Sequence, residues 1–155
     1  MTPAILAARS AKIAHQVHEY AHDPSSPSYG VEAAEKLGMP QDRVFKTLVV
    51  TVDNKALGVG VVPVASMLNM KALAKAMGAK KAAMAEPAEV ERVTGYVLGG
   101  VSPLGQKKRL KTIIDTSART FPTIYVSAGR RGLQIELNPR DLKKLTGGSF
   151  AEIGN

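Results

Sequence analysis

The sequence VFKTLVVTVDNKALGVGVV at residues 44–62 decides the fold class of this chain. Its first half is rich in β-branched residues, which favour a buried strand. The polar triplet Asp53-Asn54-Lys55 supplies a turn, and a second apolar run follows from residue 56 to residue 62. We therefore predict a central hairpin, around which the other elements are arranged.

One residue of this hairpin is anomalous. Lys46 lies inside an otherwise apolar strand, where an unpaired ammonium group is costly to bury. It must therefore emerge at a sheet edge, find a partner, or line a cleft. On chemistry alone the sheet edge is the more common of these explanations, and the pattern leaves all three open.

Helix and strand signals alternate irregularly on both sides of the hairpin. Cap residues and helical spacing predict helices at 2–14, 31–37, 71–77, 87–94 and 138–147. Alternating or β-branched runs predict strands at 16–20, 80–85, 112–115, 123–127, 133–137 and 149–153. Because these elements follow no strict β-α-β order, we expect an α+β fold with a mostly antiparallel or mixed sheet flanked by helices. We expect residues 1–155 to form a single domain.

Composition excludes several kinds of site. The 155 residues include no cysteine, so neither a disulfide framework, nor a thiolate zinc site, nor an enzyme thiol nucleophile is possible. No apolar run approaches the length of a membrane span, and no basic N-terminal region precedes one. We expect a cytoplasmic protein without a membrane partner.

The chain is strongly basic. Its 21 Lys and Arg residues against 13 Asp and Glu residues give a formal net charge of +8. The cations are clustered at 80–81, 107–111, 130–131 and 140–144. Clusters brought together by folding could follow a phosphate backbone, which favours a nucleic acid as partner. A basic surface that serves only solubility is the alternative.

A second distinctive stretch is YVLGGVSPLGQKKR at residues 96–109. Its glycines and proline preclude a regular helix or a central strand, so we predict a shaped loop. Glycines let backbone N–H groups approach a ligand closely, and three positive charges follow at once. The loop is therefore either an ordinary connection with a basic end or a site for an anionic or ester substrate.

Other catalytic patterns are weak. His15, His18 and His22 have spacings of three and four residues, but they fall on a predicted strand and loop, so surface positions are favoured over a metal site. Ser102 and Ser127 lack a nucleophile elbow, and no Walker sequence is present. What remains is a site of backbone donors and one lysine. Such a site can stabilise an oxyanion while water or a substrate group attacks an activated ester.

Three segments together resemble a known family. They are TGYVLGGVSPLGQKKR at 94–109, VFKTL at 44–48 and IYVSAGRRGL at 124–133. The chain resembles the YbaK-type aminoacyl-tRNA deacylases, relatives of the editing domain inserted in some prolyl-tRNA synthetases. The start of the chain and the His22-Asp23-Pro24 turn are also similar to this family, so the resemblance covers nearly the whole sequence.

The resemblance implies a curved sheet and hydrolysis of the ester that links cysteine to tRNA(Pro), with the substrate thiol attacking. It implies no cofactor and no metal, and it implies mischarged tRNA and prolyl-tRNA synthetase as partners. The residues that it assigns to catalysis are Lys46, Gly99 and Gly100. Those expected to bind the substrate are Tyr20, Tyr29, Thr47, Ser102 and Ser127. Those expected to meet tRNA phosphates are Lys107, Lys108, Arg109, Arg130 and Arg131.

Two positions depart from the family pattern. Gln134 stands where a close relative has aspartate, so this chain has no carboxylate at that position, and Tyr29 stands where phenylalanine is common. A deacylase for another small amino acid such as alanine, and a non-catalytic module that binds tRNA or a synthetase, are the alternative functions.

Overall fold

The computed structural model describes residues 1–155 as five α-helices, eight strands and one 3-10 helix. The helices are α1 Pro3–Ser10, α2 Tyr29–Leu37, α3 Met70–Ala76, α4 Pro87–Thr94 and α5 Pro139–Thr146. The strands are β1 His15–Glu19, β2 Phe45–Val52, β3 Ala56–Pro63, β4 Ala82–Met84, β5 Lys111–Asp115, β6 Ile124–Ser127, β7 Leu133–Leu137 and β8 Ser149–Ala151. Every predicted helix and strand is confirmed, with changes of a few residues at its ends. The 3-10 helix Thr116–Thr120, which Asp115 caps, was not predicted.

The strands form two sheets. Five of them lie in the order β4-β2-β3-β5-β8, with the predicted hairpin β2-β3 antiparallel and β3, β5 and β8 mutually parallel. The other three form an antiparallel sheet in the order β1-β7-β6. The mixed α+β fold is therefore confirmed, but the expected single sheet is divided in two.

One backbone bridge connects the two sheets. Val44, just before β2, forms a parallel bridge with Tyr125 of β6, and the Tyr125 N–H donates to the Arg43 carbonyl at 3.2 Å. Beyond this bridge no backbone hydrogen bond joins β2 to β6. A gap therefore opens beside residues 45–48 of β2 and Ser127 of β6.

The alternation of side chains decides which residues face this gap. Phe45 and Val49 of β2 belong to the main core, which β7 also enters through Ile135. Val44 packs on the other side against Tyr125 and helix α2. Because neighbouring side chains in a strand point to opposite faces, Lys46 shares the face of Val44 and not that of the main core.

Local signals fix the helix ends. Thr2, Asn69 and Asn138 accept backbone N–H bonds as N-caps, and a left-handed glycine follows α2, α4 and α5. None of the helices combines the length and apolarity that crossing a bilayer would require.

Candidate functional site

A cleft of about 300 Å³ occupies the gap between the two sheets. Helix α2 and the segment before it close one side, and the glycine loop of residues 96–109 closes another. The residues that line this cleft are Tyr20, Pro27, Ser28, Tyr29, Gly30, Val44, Phe45, Lys46, Thr47, Leu48, Leu98, Gly99, Val101, Ser127 and Gln134. Six of the predicted site residues, Lys46, Gly99, Tyr20, Tyr29, Thr47 and Ser127, therefore lie together.

Lys46 is the only charged side chain that lines the cleft. It is half-buried, and its ammonium group makes no ion pair or hydrogen bond with the protein. Burial lowers the pKa of Lys46 below its ordinary value, since the charged form loses hydration. Of the three explanations for this lysine, the structure favours the cleft: its amine is available to a bound anion or carbonyl oxygen.

The glycine loop contributes two residues with free backbone donors to the cleft lining. Residues 97–100 form a tight turn in which the Gly100 N–H donates to the Val97 carbonyl at 2.9 Å. The N–H groups of Gly99 and Val101 have no protein acceptor, and both residues line the cleft. Backbone donors of this kind can stabilise a developing oxyanion.

Gly100 lies apart from Gly99 in its contacts. Its N–H is used within the turn, and it does not line the cleft. A Cβ atom on Gly100 would lie 2.8 Å from the Arg130 Cα atom, so this glycine is required by the β6-β7 turn that packs against it. The sequence could not separate the two glycines because the packing partner is 30 residues away.

Two polar atoms at the cleft have no hydrogen-bond partner. They are Thr47 Oγ1 and Gln134 Oε1, both buried. Gln134 is 7% exposed and lies on β7 between His18 of β1 and Ser127 of β6. Buried polar groups are normally satisfied, so these atoms are available to a polar ligand.

The tyrosines and Ser127 complete the polar wall. Burial raises the pKa of Tyr20, whose N–H donates to the Gly132 carbonyl at 3.0 Å. Tyr29 begins helix α2 directly after the N-cap Ser28. The Ser127 hydroxyl oxygen accepts the Gly129 N–H at 3.2 Å, which leaves its proton free to donate.

Ser102 does not belong to this site. It is fully buried, its hydroxyl oxygen accepts the Leu104 N–H at 3.2 Å, and it does not line the cleft. The Ser102 hydroxyl thus closes the turn around Pro103. The sequence analysis did not identify Val44, Leu98 and Val101 as cleft residues, because an apolar side chain in a strand or loop carries no signal that separates a cleft wall from the core.

The three histidines do not come together. His15 Nδ1 lies 2.9 Å from the Ile13 carbonyl, while His18 and His22 contact Glu136 and Glu32 at 2.9 and 2.7 Å. No group of His, Asp and Glu side chains has an arrangement that could hold a metal ion. The cleft contains neither a histidine nor a carboxylate, so no protein group there is paired with a general base.

The predicted tRNA-binding residues fall in separate places. Lys107, Lys108 and Arg109 line an open groove that shares no residue with the cleft. Arg130 is exposed at the β6-β7 turn. Arg131 is exposed as well, but its guanidinium contacts the protein: it donates to the Leu98 carbonyl at 3.1 Å and lies over the Tyr29 ring.

A second set of cations continues this groove. Arg119, Arg140, Lys143 and Lys144 surround Gly147, Gly148 and Phe150 without an acidic residue among them. Arg109 joins the two sets, since it donates to the Leu145 carbonyl at 3.0 Å at the end of α5. We call this combined surface, with Lys55, Arg92 and residues 107–111, the basic groove.

Known proteins resemble the chain over most of its length. A model of the aminoacyl-tRNA editing domain family matches residues 24–145. EbsC of Enterococcus faecalis, named as a candidate Cys-tRNA(Pro)/Cys-tRNA(Cys) deacylase, is 42% identical over 142 residues, covering 92% of this chain and 86% of EbsC. YwhH of Bacillus subtilis, named without a function, is 30% identical over 79% of this chain and 75% of YwhH. A crystal structure described as a candidate trans-editing enzyme for prolyl-tRNA synthetase is 25% identical, with a TM-score of 0.80 over 91% of this chain and 87% of that one.

Proposed function

The chain belongs to the aminoacyl-tRNA editing domain family and is an aminoacyl-tRNA deacylase, and we propose that it removes cysteine from mischarged tRNA(Pro) as a free-standing editing enzyme. The observation that carries the proposal is the composition of the cleft: one unpaired lysine, free backbone donors, and no His, Asp or Glu side chain. The name of EbsC supports cysteine as the amino acid. Residues 1–155 act as one editing domain.

The size of the cleft suits a small group. Its volume of about 300 Å³ lies at the lower end for ligand pockets. The aminoacyl ester at the end of a tRNA can enter, while the rest of the nucleic acid stays outside. Cysteine and proline are close in size, which a synthetase pocket discriminates poorly, so a separate hydrolytic step is needed.

The missing general base points to a nucleophile supplied by the substrate. In our proposal the cysteine thiol attacks its own ester carbonyl. The new S–C bond forms as the C–O bond to the ribose breaks, and the thiol proton passes to the ribose oxygen. Water then opens the cyclic thioester to free cysteine. A cleft without its own nucleophile is sufficient for this chemistry.

Lys46 and the Gly99 N–H supply the electrostatics of this reaction. The carbonyl oxygen gains negative charge as the thiol attacks, and a cation and a backbone donor at the same cleft stabilise that charge more in the transition state than in the ground state. Tyr20, Tyr29, Thr47 and Ser127 surround the aminoacyl group. The side-chain carbonyl oxygen of Gln134 has no partner in the protein, so it can accept a hydrogen bond from the aminoacyl group.

The basic groove supplies affinity for the tRNA. Its cations carry no sequence information, but they can neutralise phosphates of the acceptor stem. The chain has seven aromatic residues and no tryptophan, which argues against recognition of bases by stacking. Selectivity for tRNA(Pro) therefore comes from prolyl-tRNA synthetase in the cytoplasm, which presents the mischarged end. If a pull-down at low salt recovers no prolyl-tRNA synthetase, the proposed role of the synthetase in selectivity is wrong.

A panel of mischarged tRNAs tests the function. Purified wild type and Lys46→Ala are incubated with tRNA(Pro) carrying cysteine, S-methylcysteine, serine or alanine. We expect the wild type to hydrolyse the cysteinyl ester rapidly and the other three esters slowly, and we expect Lys46→Ala to hydrolyse none of them rapidly. If the S-methylcysteinyl ester is hydrolysed as fast as the cysteinyl ester, attack by the thiol is excluded. If the alanyl ester is hydrolysed faster than the cysteinyl ester, alanine and not cysteine is the substrate. Binding without hydrolysis of any ester shows a non-catalytic module.

A further inference from the structure

The direction of the Gly99 N–H depends on the type of turn around it. Residues 97–100 are closed by the bond from the Gly100 N–H to the Val97 carbonyl, and Gly99 has φ = 86° while Leu98 has negative φ. These values define a type II turn. Type I differs by roughly 150–170° at the two torsions beside the Leu98-Gly99 peptide. Changing from one type to the other therefore reverses the direction of the Gly99 N–H.

Arg131 contacts this peptide from the β6-β7 turn. Its Nη2 atom donates to the Leu98 carbonyl oxygen at 3.1 Å. Its guanidinium carbon lies 4.0 Å from the centre of the Tyr29 ring. A Cβ atom on Gly99 would lie 2.6 Å from Arg131 Nε and 2.7 Å from Tyr29 Cε2. Arg131 and Tyr29 therefore lie directly against Gly99.

The Leu98 carbonyl and the Gly99 N–H belong to one peptide group and point in opposite directions. A cation that holds the oxygen therefore also fixes the N–H. In the reversed orientation the N–H would point towards the guanidinium, where two donors face each other. A charge-assisted bond to the oxygen also polarises the peptide and strengthens its N–H as a donor.

We propose that Arg131 is a positioning residue that holds the Leu98-Gly99 peptide in its type II orientation and so aims the Gly99 N–H at the carbonyl oxygen of the substrate ester. Tyr29 supports the guanidinium by stacking. This inference rests on the proposed function, because it assigns the Gly99 N–H to the reacting ester. It replaces the expectation that Arg131 meets a tRNA phosphate.

The variant Arg131→Met tests the proposal, since it keeps the length of the side chain and removes the donor. We expect kcat for Cys-tRNA(Pro) to fall roughly tenfold to a hundredfold. KM and the dependence of binding on salt should stay near the wild-type values, because no phosphate contact is lost. In the free 15N-labelled protein the Gly99 amide proton should shift upfield. Arg131→Lys, which can still donate to the Leu98 carbonyl, should recover part of kcat.

The matched control is Lys71→Met on the exposed side of α3, which removes the same charge and should change neither kcat nor the Gly99 resonance. Wild-type kcat in Arg131→Met with an unchanged Gly99 resonance overturns the proposal. A higher KM, together with a slope of log affinity against log salt that is smaller by about 0.7–0.9, also overturns it, because this is the result expected for a lost phosphate contact. If the wild type hydrolyses no ester, the proposed function fails, while the Gly99 resonance still reports whether Arg131 holds the peptide.

Discussion

The Nδ1 atom of His22 lies 2.7 Å from Oε1 of Glu32, and this pair ties the loop before α2 to the helix itself. The second carboxylate oxygen of Glu32 accepts the Asp23 N–H at 2.7 Å. Glu32 is only 3% exposed. Because the loop runs from Tyr20 to Tyr29, both of which line the cleft, this buried carboxylate holds one wall of the candidate site.

Glu32→Gln should therefore destabilise the protein in a pH-dependent way. Burial by itself raises the pKa of Glu32, but the bonds from His22 and Asp23 outweigh it and bring the pKa below its ordinary value. A lowered carboxylate pKa contributes stability that is present at neutral pH and is lost as pH falls through the folded-state value. Thermal unfolding of wild type and variant from pH 7 to pH 3 should show a difference in Tm that disappears towards the acid end. Glu35→Gln, on the exposed side of the same helix, is the control, and a difference independent of pH contradicts the assignment.

Alanine at Gly99, Gly100 and Gly78 should have three different effects. Gly78 has φ = 71° and open space around it, so Gly78→Ala should cost about 1 kcal/mol and leave activity intact. Gly100→Ala meets the Arg130 backbone at 2.8 Å without a positive φ, so it should cost about 1–3 kcal/mol through packing alone. Gly99→Ala combines positive φ with contacts to Arg131 and Tyr29 and should lose most activity. Urea unfolding and deacylation assays measure both quantities, and equal activity of the Gly78 and Gly99 variants refutes this ordering.

Lys46→Met should separate activity from stability. The ammonium group has no partner in the protein, so its removal should lower kcat/KM about a hundredfold without lowering the free energy of unfolding at pH 7. Because burial lowers the pKa of Lys46, the wild type gains stability as pH rises from the folded-state value towards 10.5, and the variant lacks this gain. Urea unfolding at neutral and alkaline pH, each with both proteins, measures the difference. If the Lys46→Met variant is clearly less stable than the wild type at neutral pH, Lys46 has a structural role.

The fold was largely predictable because its signals are local. Strand density in β2, cap residues such as Asn69 and the left-handed glycine after α4 each act within a few residues. The division into two sheets was not predictable, since it depends on where the bridge between Val44 and Tyr125 ends. That bridge joins residues 81 positions apart, and no local pattern encodes its length.

The candidate site was predictable only in part, for the same reason. A lone lysine in an apolar strand is visible in the sequence as an anomaly, and so is a loop rich in glycine. Whether a glycine faces a ligand or a neighbouring backbone depends on distant contacts, as Gly99 and Gly100 demonstrate. In the sequence Arg131 has the same signal as any other surface cation, because its contacts with the Leu98 carbonyl and the Tyr29 ring join residues about 30 and 100 positions apart.

The cations of the basic groove should contribute to the affinity for tRNA through phosphate contacts. The double variants Lys107→Gln/Lys108→Gln and Lys143→Gln/Lys144→Gln each remove two of its exposed cations. If the cations contact acceptor-stem phosphates, each lost contact reduces the slope of log affinity against log salt by about 0.9. Fluorescence anisotropy with labelled tRNA over a series of KCl concentrations measures that slope.

The matched control for this prediction is Lys80→Gln/Lys81→Gln, which removes the same charge from the turn held by Asp53, outside the groove. Net charge alone would lower tRNA affinity equally in all three double variants, because long-range attraction depends on the total. A local phosphate contact instead lowers it in the groove variants and leaves the control slope at the wild-type value. Since kcat depends on the cleft, the groove variants should keep kcat at saturating tRNA and show only a raised KM. A fall in kcat with an unchanged salt slope would place these lysines in the reaction and not in the binding of tRNA.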